Sequence, residues 1–142
     1  MKIDAVELRV LKMRLLKPFR TSFGVQQDRY PLLVRLEIAD RSYWGECVAG
    51  EGPWYSSETI ETAWQILKGY LLPSVIGREL ADVGALEQLF APVRGHRMAK
   101  ACIEMAFTAA ISSGESRLPG SSMRSRRASP AGVSSVPSRM SW

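Results

Sequence analysis

The chain has 142 residues, 46% of them hydrophobic, and a net charge of +5. That is the size of one domain with a packed core, and with no apolar run of about 18 residues it offers no membrane-spanning helix. Residues 112–142 carry five of the 19 basic residues and one of the 14 acidic ones, so the preceding 111 are nearly neutral and present no nucleic-acid face.

The N-terminus, with a charge at Asp4, does not read as a signal peptide. Cys47 and Cys102 belong to no CxxC pair and read as buried free thiols of a reducing, cytoplasmic compartment. The single histidine, His96, is too few for a histidine metal site and reads as a polar residue near a helix start.

Residues 2–16 alternate in polarity, but the phase slips near Val10 and Leu11. A one-residue slip turns every side chain over, so this is one long strand with a bulge or two short strands, closed by Pro18. Residues 17–30 read as a loop. Its Phe19, Arg20, Thr21, Ser22, Phe23 and Gly24 put two aromatics beside a cation and two hydroxyls, a set that suits a small-molecule site or a flap packed on its own sheet. Leu32, Val34, Leu36 and Ile38 alternate as a strand, and a turn at Asp40, Arg41 and Ser42 returns the chain into a strand over Tyr43 to Ala49.

The loop Gly50, Glu51, Gly52, Pro53, Trp54 and Tyr55 follows, a tight connection with an aromatic plug or a recognition loop held on a regular scaffold. Ser56, Ser57 and Glu58 are placed to start a helix. Ile60, Ala63, Trp64, Leu67 and Leu71 form its apolar stripe, and Pro73 ends it. A second helix is predicted from Asp82 to about Phe90. A third starts near His96, its face rich in small residues: Ala99, Ile103, Ala106 and Ala110, with Met98, Cys102, Met105 and Ala109 beside them.

From Ser112 onward the 31 residues include 11 Ser, five Arg and three each of Pro and Gly, without apolar period. Such a segment reads as a disordered tail, 112–142, beyond a domain of residues 1–111. It lacks the repeats of an RNA-binding tail, and nucleic acid is not an expected partner. The order of elements predicts an α+β fold, a three-stranded antiparallel sheet packed on a three-helix layer.

No phosphate loop, nucleophile elbow or metal-ligand spacing is present. Glu46 and Glu51 lie five apart across a strand end and a loop with no third ligand. Lys12 and Arg14 read as a solvated strand face rather than a base dyad.

Four segments in order, KPFRTSFG (17–24), YWGECVAGEGPWY (43–55), SETIETAW (57–64) and KACIEMAF (100–107), resemble the N-terminal capping domain of the enolase superfamily, muconate-lactonising branch. They are most similar to those of o-succinylbenzoate synthases and N-acylamino acid racemases. The resemblance implies that loops at about Pro18 to Val25 and Gly50 to Tyr55 close over a separate (β/α)₇β barrel. That barrel would carry the Mg²⁺ and the acid/base groups, as in a lyase of menaquinone biosynthesis or an isomerase. It further implies that the chain alone has no catalytic residues, binds no cofactor, meets small-molecule substrate only with the barrel, and is prone to self-association. After Phe107 the sequence departs from the family pattern, as a frameshifted or truncated gene would. A stand-alone module that binds a small ligand or a protein with the same fold is the alternative.

Overall fold

The computed structural model describes residues 1–114. The expected tail, from residue 115 on, lies outside the described residues. Strands β1 (Ala5–Val10), β4 (Leu32–Ile38) and β5 (Arg41–Cys47) form an antiparallel sheet in the order β1-β4-β5, while β2 (Met13–Thr21) and β3 (Gly24–Arg29) form a separate hairpin. Helices α1 (Ile60–Ile66), α2 (Leu72–Val75), α3 (Val83–Phe90) and α4 (Arg97–Ser112) cover the sheet, with a π-helical stretch, Leu67–Leu71, joining α1 to α2. The α+β architecture is the one expected.

One face of the sheet supplies the core. Leu32, Val34, Leu36 and Ile38 of β4 and Tyr43 and Cys47 of β5 are buried against Leu67, Leu71, Leu86, Phe90, Ile103 and Phe107. The opposite face carries Glu7, Arg9, Arg35, Glu37 and Trp44, linked by ion pairs from Arg9 and Arg35 to Glu7 and from Arg35 to Glu37. Both guanidiniums also lie over the Trp44 ring, at 5.5 and 5.8 Å. The hydrogen bond from Arg9 holds the Glu7 carboxyl below the usual carboxylate range, and the Arg35 charge adds to this against partial burial.

Helix α4 lies directly on β5. A Cβ on Gly45 would fall 1.7 Å from the carbonyl oxygen of Cys102 and 3.3 Å from the Ala106 nitrogen. Glycine in a strand interior marks such a close backbone approach, and the helix answers with buried Ala99, Cys102, Ala106 and Ala110.

Several expectations are corrected. Residues 17–30 are the β2–β3 hairpin, and the strand runs through Pro18 to Thr21. The pairing shifts register between Arg14 and Phe19, where Pro18 has no N–H to give the ladder, and the Gln27 side chain donates to the Leu15 carbonyl at 2.8 Å across the irregularity. The β4–β5 turn is the two-residue Ala39–Asp40, both at positive φ (49° and 62°), as a primed hairpin turn needs. The strand that follows ends at Cys47 rather than Ala49.

The first helix begins at Ile60, because Thr59 forms a capping box with Thr62. Pro73 does not end it. In a regular helix its ring would meet the Gly69 carbonyl, and the chain instead widens by one residue, Leu72 N–H bonding to Leu67 O, before continuing to Val75. The third helix runs through Ser112, one residue beyond the expected boundary, and the Ser113 hydroxyl meets the Tyr43 hydroxyl at 2.9 Å.

Candidate functional site

The β2–β3 hairpin ends in the tight turn Thr21–Gly24. Thr21 Oγ1 donates to the Gly24 carbonyl (3.3 Å) and accepts from the Phe23 amide (3.2 Å). Gly24 sits at φ +144°, a region that side chains avoid. With the turn thus closed on itself, the aromatics project outward: Phe19 is 60% and Phe23 67% exposed, with Val25 exposed beside them. They do not pack down as a flap.

The second segment, Gly50 to Tyr55, is anchored at its ends. Ile60 N–H donates to the Gly50 carbonyl at 2.8 Å, and Gly50 bridges to Thr59. Trp54 folds over Gly52, where a Cβ would meet the indole Nε1 at 2.5 Å, yet Trp54 is 72% and Tyr55 90% exposed. The aromatic-plug reading therefore fails, since neither ring fills the core.

The structure brings the two segments toward each other. Gln26 Nε2 of β3 donates to Glu51 Oε2 of the loop at 3.4 Å, and the Arg29 guanidinium donates to Glu46 at the base. Between them lies a half-open cleft of about 150 Å³ lined by Gln26, Arg29, Tyr30, Glu46, Cys47, Gly50 and Glu51. Ligand pockets run to about 300–1,000 Å³, so the cleft alone is too small to enclose a substrate. Glu46 and Glu51 thus go to separate partners instead of forming a carboxylate pair. Lys12 pairs with Asp28 at 3.2 Å and lies over the Tyr30 ring, and its hydrogen bonds with Tyr30 and Asp28 hold its ammonium above the ordinary lysine range. Lys12 lies in the link between β1 and β2 while Arg14 is on β2, so the two do not share a strand face and no base dyad forms.

Sequence reasoning missed the role of Glu58. Its side chain, 8% exposed, accepts from the amides of Met98 (3.1 and 3.0 Å) and Ala99 (3.2 Å) at the N-terminus of α4. His96, at the N-cap in the left-handed region, offers no side-chain bond, and the first turn has no acid. A carboxylate from 40 residues upstream fills the gap, favoured by the positive end of the helix. It ties the exit of the second loop to the longest helix.

Among the described residues no group of three or more His, Cys, Asp or Glu side chains could hold a metal ion. The described residues therefore offer no donor set that fits magnesium. No helix among the described residues is long and apolar enough to cross a membrane.

The family model for the mandelate racemase / muconate lactonizing enzyme N-terminal domain matches residues 5–112. The chain belongs to this family. An N-succinylamino acid racemase from Amycolatopsis is 45% identical over 106 residues, which are 75% of this chain and 29% of the relative. An o-succinylbenzoate synthase from Geobacillus kaustophilus is 43% identical over 103 residues, 72% of this chain and 28% of the relative. The crystal structure of an enolase superfamily member from Listeria innocua superposes with a TM-score of 0.69 at 31% identity, covering 75% of this chain and 29% of the other. The chain thus spans under a third of the length of the relatives it matches. The likeness falls on the N-terminal domain, as the four sequence segments implied.

Proposed function

We propose that this domain is the capping half of an enzyme of the o-succinylbenzoate synthase or N-acylamino acid racemase kind. Its β2–β3 hairpin and its Gly50–Tyr55 loop would together form the lid of a substrate site whose chemistry belongs to a barrel. A barrel of about 250 residues cannot fit in this chain. The observation that carries the reading is that two segments with exposed aromatics are fastened to each other by the Gln26–Glu51 bond, beside a cleft too small to be a site by itself.

In this role the domain's own groups bind and exclude water. Phe19, Phe23, Trp54 and Tyr55 give up exposed apolar surface on closure, and Arg20 brings a cation to the hairpin tip. Gly50, Gly52 and Pro53 shape the second loop, and the Thr21 and Glu51 bonds hold the two backbones in place. Expelling water strengthens every polar contact inside a closed site.

The test is turnover with and without a barrel. The purified chain with Mg²⁺ should neither racemise N-succinylamino acids nor dehydrate the succinylbenzoate precursor. Fusing residues 1–112 to the barrel of the Amycolatopsis relative should yield a Mg²⁺-dependent enzyme. Metal-dependent turnover by the chain alone, surviving rigorous purification, or a well-folded but inert fusion, would overturn the reading. The inert fusion would favour a stand-alone binding module.

A further inference from the structure

We infer that Cys47 and Cys102 form a dithiol that a peroxide-type oxidant converts to an internal disulfide, tying the base of the second loop to α4. The two thiols lie 55 positions apart, yet the fold places them together. Cys47 is the last residue of β5, on its inner face, and Cys102 is on the face of α4 that packs against that strand. At Gly45, two residues before Cys47 on the same face of β5, the missing side chain lets the Cys102 backbone come into direct contact with the strand, so both cysteines belong to the one buried seam between β5 and α4. Cys102 Sγ also donates to the Ala99 carbonyl at 3.0 Å, which holds its side chain at this interface.

The two thiols differ in surroundings. Cys47, itself only 1% exposed, forms part of the cleft wall with Arg29, Glu46 and Gly50, so the cleft is the side from which a small oxidant would reach it. Cys102 lies behind it with no exposure. The neighbouring Cys102 thiol draws the Cys47 thiol down, and the neighbouring Cys47 thiol together with burial pushes Cys102 up. Cys47, on the cleft side, is therefore the attacking sulfur, and Cys102, closed off behind it, the resolving one. The Cys47 thiolate attacks the peroxide O–O bond, giving a sulfenic acid and releasing hydroxide. That hydroxide takes up the proton lost by Cys47 and becomes one water; the Cys102 sulfur then displaces the sulfenic OH, which takes up the Cys102 proton and leaves as the second water. Overall two thiols are oxidised with loss of two hydrogens, and one hydrogen peroxide is reduced to two waters.

The experiment is peptide mapping of the full chain after hydrogen peroxide, without reductant. Most of the Cys47 peptide should be recovered joined to the Cys102 peptide within one chain, and dithiothreitol should release it. In Cys102→Ala, Cys47 should be trapped by dimedone as the sulfenic acid, and in Cys47→Ala, Cys102 should not react. Two free thiols in the oxidised wild type, or disulfides only between chains, would overturn the proposal. Dimedone labelling of Cys102 in Cys47→Ala would overturn the assignment of roles. The wild-type map decides the central point whether or not the variants fold.

Discussion

Replacing Gly45 by alanine is expected to lower the stability of the domain by about 3 kcal/mol or more. The new methyl carbon would sit 1.7 Å from the Cys102 carbonyl oxygen and 2.8 Å from its carbonyl carbon. Both are backbone atoms in the middle of α4, so no side chain can rotate aside and the helix must move off the sheet. Overpacking typically costs about 1–3 kcal/mol, and this site belongs at the upper end because the obstacle is rigid. Against a net stability of about 5–15 kcal/mol, the expected loss amounts to a thermal midpoint roughly 15 °C lower. Gly69→Ala is the control: nothing lies within 4 Å of its added Cβ, and its midpoint should stay within a few degrees. Calorimetry of the three proteins checks both. Equal midpoints for wild type and Gly45→Ala would show that strand and helix do not touch there.

The second large effect is expected at Glu58. Alanine there removes the acceptor for the Met98 and Ala99 amides and leaves these donors of the first turn without a partner near the core. A lost helix cap costs about 0.5–2 kcal/mol and a buried unsatisfied donor about 1–3, so about 2–3 kcal/mol is expected in all. Glu58→Gln keeps an acceptor oxygen but not the charge, and about 1 kcal/mol is expected. Hydrogen exchange should locate the effect, with the amides of Met98 and Ala99 losing protection in Glu58→Ala before those of Phe107 and Ala110. Uniform loss along α4 would mean that Glu58 supports the core in general and does not cap this helix.

The parts of the fold written into local periodicity were legible in the sequence. The alternation of β4, the apolar positions of α3 and the small-residue face of α4 each have one buried side and one solvated side, and this contrast is what a pattern records. The β2–β3 hairpin has no such contrast. Nearly all of β2 is exposed, so no face selects apolar residues, and Pro18 and Gly24 made it look like a loop. The capping contact of Glu58 and the close approach of Cys102 to Gly45 are long-range, set only when helix and sheet pack. One local signal did point to each. Helix α4 begins without a Ser, Thr, Asp or Asn to cap it, and Gly45 interrupts a strand that otherwise favours large side chains. At the candidate site the residue identities were legible in both segments. Their joining through Gln26 and Glu51 was not, because Gln26 lay in a stretch read as loop.

The measurement that bears most directly on the lid is kcat/KM of a chimera joining residues 1–112 to the barrel of the Amycolatopsis relative, with and without Phe19→Ser plus Trp54→Ser. Both side chains are mostly exposed in the isolated domain, so the double variant should keep the thermal stability of its parent. If the hairpin and the second loop close over the substrate, kcat/KM for N-succinylamino acids should fall about tenfold or more, a loss of about 1.4 kcal/mol in transition-state binding. An active chimera whose kcat/KM is unchanged by the double substitution would contradict the proposal that these aromatics form the lid.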